Sequence, residues 1–111
     1  MNLAPIVLFV YNRINSLQLT IQYLKNNFLS KESDLIIYSD GPKKEEDKEK
    51  VQKVRDFLKT IDGFNSITIN ESDINRGLAN SIIYGVTETV NKYGKIIVLE
   101  DDLITSPYFL Q

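Results

Sequence analysis

The sequence predicts an α/β fold, an open and largely parallel sheet with helices on both faces. Three observations carry that expectation. Four short runs of β-branched and aromatic residues alternate with three amphipathic segments, in the order β-α-β-α-β-α-β. The first run, Ile6–Tyr11, and the last, Ile96–Leu99, are apolar at every position, as strands covered on both faces are. Turn residues punctuate the segments at Ser39-Asp-Gly-Pro42, Asp62-Gly63 and Tyr93-Gly94. At 111 residues the chain fits one domain.

The elements follow in order. After Ile6–Tyr11, Asn15 or Ser16 offers an N-cap, and Leu17, Ile21, Leu24 and Phe28 make one apolar helical stripe. Leu35–Tyr38 is the second strand. The mixed-sign KKEEDKEK segment reads as a solvated helix start, after which Val51, Val54, Phe57, Leu58 and Ile61 share a face. Ile67–Ile69 is a short third strand. Leu78, Ile82, Val86 and Val90 define a third helix that ends at Gly94, and Ile96–Leu99 is the fourth strand. Ser106-Pro107 then offers an N-cap and first helical position one turn before Gln111. The expectation is therefore the N-terminal part of a longer protein, truncated at its C-terminus.

Composition excludes several chemistries. The chain contains no Cys and no His, which removes disulfides, thiolate nucleophiles, Ser-His-Asp triads and the common zinc sites. Acid-base or metal chemistry must come from Asp, Glu, Lys, Tyr or backbone groups, and carboxylate oxygens favour hard cations such as Mg, Mn or Ca. A net charge of −2 with interspersed signs argues against nucleic acid as a partner. No apolar stretch approaches the roughly 20 residues of a transmembrane segment. The N-terminus lacks the basic region and cleavage site of a secretory signal, so the expected location is cytoplasmic, with peripheral membrane association left open for a longer form.

Ligands of open parallel sheets bind beyond the carboxyl ends of the strands. Those ends carry Tyr11-Asn12-Arg13, Ser39-Asp40-Gly41, Glu71-Ser72-Asp73 and Glu100-Asp101-Asp102, whereas the opposite ends carry ordinary loop residues. In an extended strand Glu100 and Asp102 share a face and Asp101 points away. Two carboxylates there could hold a divalent cation with phosphate oxygens completing its shell, or could form a solvated acidic loop. Asp40 is either a turn residue or an acceptor for a nucleobase ring N–H. Tyr11 could stack on a base or pack under the first loop, and Arg13 could pair with a phosphate or with a surface carboxylate. The Asn75–Ala79 segment leads into the third helix, whose N-terminus attracts anions, but neither phosphate-binding glycine motif is present.

"PIVLFVYNR", "LIIYSDGP", "NRGLANSIIYG" and "KIIVLEDDL", in that order, resemble the nucleotide-sugar-binding half of a glycosyltransferase with the GT-A fold. The family 2 enzymes are similar, as is the N-acetylglucosaminyltransferase I type with its E-D-D motif. The resemblance covers residues 1–111 and implies a glycosyltransferase donor domain for a UDP-sugar, with a saccharide or other hydroxyl acceptor. It implies Asp102 as the direct Mn or Mg ligand within a D-x-D-like motif, and Glu100 or Asp101 on ribose or metal-bound water. By the same resemblance Asp40 bonds the base, Tyr11, Asn12 and Arg13 wrap base and diphosphate, and Arg76 approaches the diphosphate. Glu100 replaces the usual Asp, which leaves the division of roles with Asp101 open. The general base and the acceptor-binding half would lie beyond Gln111, so the chain alone is expected to transfer nothing. A metal-dependent nucleotidyltransferase is the rival enzyme, although Tyr11–Asn15 supplies no glycine- and lysine-rich loop. The other alternative is a non-catalytic α/β module, a nucleotide binder or a receiver-like phosphoacceptor; a receiver would cluster acids after the first strand, where Asn12-Arg13 stands.

Overall fold

Among the described residues four strands pair, all in parallel. The computed structural model describes residues 5–27, 30–94 and 97–100. Strands β1 (Ile6–Val10), β2 (Asp34–Ser39), β3 (Ser66–Glu71) and β4 (Ile97–Glu100) form one sheet in the order β3-β2-β1-β4. Helices α1 (Ile14–Asn27), α2 (Lys48–Leu58) and α3 (Leu78–Tyr93) are the crossovers. Successive strands move one way from β1 to β3, and α3 then carries the chain back to the far side of β1. That reversal is the topological switch point beside which α/β sheets hold ligands.

Alternation along the central strands divides the core into two layers. Ile6, Leu8 and Val10 of β1, with Leu35 and Ile37 of β2, bury against Leu17, Ile21 and Leu24 of α1 and Val54 and Leu58 of α2. Val7, Phe9, Ile36 and Tyr38 face the other way, where Ile82 and Val86 of α3 cover them. The sheet therefore carries helices on both faces, which is why β1 reads as apolar throughout. No helix among the described residues is long and apolar enough to cross a membrane.

Several local expectations shift. Strand β1 stops at Val10, releasing Tyr11, and α1 begins already at Ile14. A short 3-10 turn, Glu45–Asp47, precedes α2. Ile61 lies past the end of α2 yet still packs against its layer. In α3, Leu78 and Val90 are 54% and 38% exposed, although their spacing placed them on the core stripe. Steps of four residues advance 400° around a helix with 3.6 residues per turn, so the stripe drifts. The face that meets the sheet is instead Ile82, Gly85, Val86 and Thr89. A Cβ on Gly85 would lie 2.8 Å from the Phe9 ring and 3.0 Å from that of Tyr38, so only glycine permits this approach. Gly94 ends α3 in the left-handed conformation (φ 82°), its amide bonding the Val90 carbonyl at 2.8 Å. Phe28 and the helix expected at Ser106-Pro107 lie outside the described residues.

Candidate functional site

Asp40 follows the last residue of β2, is buried, and holds the segment 75–77 on its carboxylate. Oδ1 accepts the amides of Gly41 and Arg76, both at 2.9 Å. Oδ2 accepts the Gly77 amide at 3.0 Å and the Asn75 side-chain amide at 3.2 Å. An ionised carboxylate has about four lone-pair sites, and all are filled. A nucleobase N–H, the contact expected for Asp40, would have to displace one of these donors. The Arg76 and Gly77 amides, at the approach to α3, are likewise engaged and do not stand free for an anion. Gly41 completes the junction: its amide donates to the Ile74 carbonyl at 3.2 Å, and its own carbonyl accepts from Asn75 at 2.8 Å.

Release of Tyr11 from β1 lets its hydroxyl reach a different loop. It donates to Asp47 Oδ2 at 3.0 Å and accepts the Lys43 amide at 2.8 Å, while Asn12 donates to Asp47 Oδ1 at 3.3 Å. Burial raises the Tyr11 hydroxyl's pKa; the Lys43 amide opposes the rise and Asp47 adds to it. The hydroxyl thus stays protonated to donate. Asp47 comes from the charged run expected to be a solvated helix start, and it is half-buried. Nothing in that run's mixed-sign pattern distinguished it from its neighbours.

Between these two junctions lies a cleft of about 460 Å³, walled by the β1 end from Phe9 to Arg13, by Asp40 and Lys43, and by Asn75, Gly77 and Leu78 at the start of α3. Its size is that of ordinary small-molecule sites, about 300–1,000 Å³. Tyr11, Asn12, Arg13 and Asp40 are brought together on it as the strand-end reading expected. Arg76 is not. Its guanidinium lies 4.4 Å over the Tyr84 ring and lines a second, polar cavity of about 350 Å³ on the other side of Asp40.

The second cavity contains Tyr38, whose hydroxyl donates to Glu88 at 2.7 Å and lies 3.4 Å from Thr89 Oγ1. Burial pushes that hydroxyl from 10.0 up to about 12; the Thr89 contact pulls against the shift and the Glu88 carboxylate adds to it. The neutral form is the one folding favours. Its contribution is complete below pH 10 and disappears as pH rises from 10 to about 12. Tyr38→Phe should cost about 1 kcal/mol at neutral pH. Denaturant midpoints measured across that alkaline window should show the variant lacking this share of the wild type's loss.

The sequence model of the family described as glycosyl transferase family 2 matches residues 6–111. The chain belongs to that family. No curated protein matches it, and no solved structure does. Strand β4 of this glycosyltransferase domain runs parallel to β1 with Glu100 opposite Phe9, so the two strands end at the same edge. Asp101 and Asp102 lie outside the described residues. Among the described residues no three acidic, His or Cys side chains converge on a metal position.

Besides Asp47, a second residue at this edge escaped the sequence reading. Arg55 of α2 is only 13% exposed, and its guanidinium bonds backbone carbonyls at the ends of β2 and β3. Positions 51, 54, 55 and 58 form an i, i+3, i+4, i+7 stripe, which ordinarily marks core. An arginine at such a position was the available signal.

Proposed function

We propose that the cleft binds the nucleotide of a nucleotide-diphosphate sugar, with a UDP-sugar as first candidate, for transfer of the sugar to an acceptor hydroxyl. The observation that carries this reading is the cleft's position: the carboxyl edge of a parallel sheet, beside the switch point, in a family 2 chain. The Tyr11 ring offers a flat apolar surface for a base, and Asn12 and Arg13 flank it. Asp40 serves as the holder of the 75–77 wall. Arg76 would reach a diphosphate only by leaving Tyr84.

Asp102, with Glu100 or Asp101 in support, would hold Mn or Mg, as the E-D-D pattern shared with the N-acetylglucosaminyltransferase I type suggests. The described geometry fits to this extent: β4 ends at Glu100 on the same edge as Tyr11–Arg13. A divalent cation bound there supplies charge neutralisation for a diphosphate leaving group. Asp102→Ala should weaken UDP binding at least about 10-fold with Mn present and leave binding in chelator unchanged, read by calorimetry. An Asp102→Ala variant with full Mn-dependent affinity would remove Asp102 from the site.

A further inference from the structure

We infer that Arg55 is a positioning residue of the cleft, setting nucleotide affinity by fixing the ends of β2 and β3 and, through them, the 72–77 loop. The inference rests on the nucleotide reading of the cleft. Just past the ends of parallel strands, carbonyls such as those of Asp40 and Ser72 leave the ladder and must find other partners. Here Arg55 supplies them. Its Nε donates to Ser39 Oγ at 3.0 Å, and Nη2 donates to the carbonyls of Ser39 and Asp40, each at 3.2 Å, and of Ser72 at 2.8 Å. Glu71 lies 3.9 Å from Nη1 and partly balances the charge. A planar fork can serve several acceptors at once, which an ammonium point charge cannot do with the same geometry.

The grip passes to the cleft in two steps. Ser72, held by its carbonyl, donates its amide to Ser39 and its hydroxyl to the Ile74 carbonyl. Asp40, held by its carbonyl, takes the amides of Arg76 and Gly77 on its carboxylate. Asn75 and Gly77 are cleft wall. One side chain from the opposite layer of the sheet therefore anchors both routes into that wall, without touching the cleft itself.

The test pairs amide exchange by NMR with calorimetric titration of UDP, GDP and CMP, using Arg55→Met and Arg55→Lys. Arg55→Met should speed exchange at Ser72, Arg76 and Gly77 by about 10-fold or more while α1 amides keep their rates. It should weaken all three nucleotides by a similar factor, about 10-fold, and Arg55→Lys should recover part of both effects. Full affinity in a folded Arg55→Met protein, or faster exchange spread evenly over the sheet, would overturn the inference. Should Arg55→Met not fold, Arg55→Lys decides: the same local pattern in weaker form supports the role, and wild-type exchange with wild-type affinity refutes it. A wild-type protein that binds none of the three nucleotides overturns the assignment of the cleft instead, and the exchange rates alone then decide whether Arg55 holds the loop.

Discussion

Asp40→Asn should lower stability by roughly 3 kcal/mol and weaken UDP, GDP and CMP binding by the same factor. The carboxylate accepts four hydrogen bonds in a buried position. An Asn side chain turns one oxygen into an NH2 group, which would face two of those donors. If Oδ1 is replaced, the Arg76 amide loses its acceptor and Gly41 keeps only Ile74; if Oδ2 is replaced, the Gly77 amide loses its acceptor and Asn75 keeps only the Gly41 carbonyl. Each buried donor left without a partner costs about 1–3 kcal/mol. The wall carrying Asn75 and Gly77 then loosens, and every nucleotide suffers alike because the damage is to the pocket rather than to base recognition. Chemical denaturation together with titration of the three nucleotides checks this. A variant of normal stability that loses its preference among bases would restore the base-reading role and remove the holding one.

Gly41→Ala should be comparably damaging, by a steric route. A Cβ at this position would lie 2.6 Å from the Ile74 carbonyl oxygen and 2.9 Å from that of Ser72. Both neighbours are backbone atoms in a loop anchored at Asp40, so no side chain can rotate away to relieve the contact. Relief requires the 72–74 segment to withdraw, breaking the 3.2 Å bond from the Gly41 amide to Ile74. Overpacking of this kind costs about 1–3 kcal/mol. The expected outcome is a lower denaturation midpoint and weaker nucleotide binding, with α1 and β1 amides as protected as in wild type. Unchanged binding in Gly41→Ala would mean that the loop can shift without altering the cleft.

Much of this molecule was legible in its sequence, and what was hidden has identifiable physical causes. The parallel sheet was readable because β1 is apolar on both faces and the helical segments alternate strictly with strands. The strand-end rule brought Tyr11, Asn12, Arg13 and Asp40 to one cleft without knowledge of any partner. What no local pattern disclosed was the pairing across sequence distance. Asp40 looked like an isolated turn acid, yet three of its four donors are 35 to 37 residues further on. Asp47 looked like one more charge in a solvated run, yet it receives Tyr11 and Asn12. Arg55 broke an apolar stripe, and periodicity alone cannot say that a charged residue there is gripping carbonyls. Leu78 and Val90 were misplaced for a simpler reason, since a four-residue repeat precesses around the helix and leaves the sheet at both ends.

The most direct test of the donor-binding role is calorimetric titration of UDP, GDP and CMP into the wild-type protein, with Mn and then with chelator. The cleft's position at the edge where β1 and β4 both end, taken with the Glu100-Asp101-Asp102 sequence, predicts saturable nucleotide binding that requires Mn, and UDP, the first candidate, should bind more tightly than GDP and CMP. Absence of binding by all three nucleotides, or UDP binding of equal strength in chelator, would contradict it.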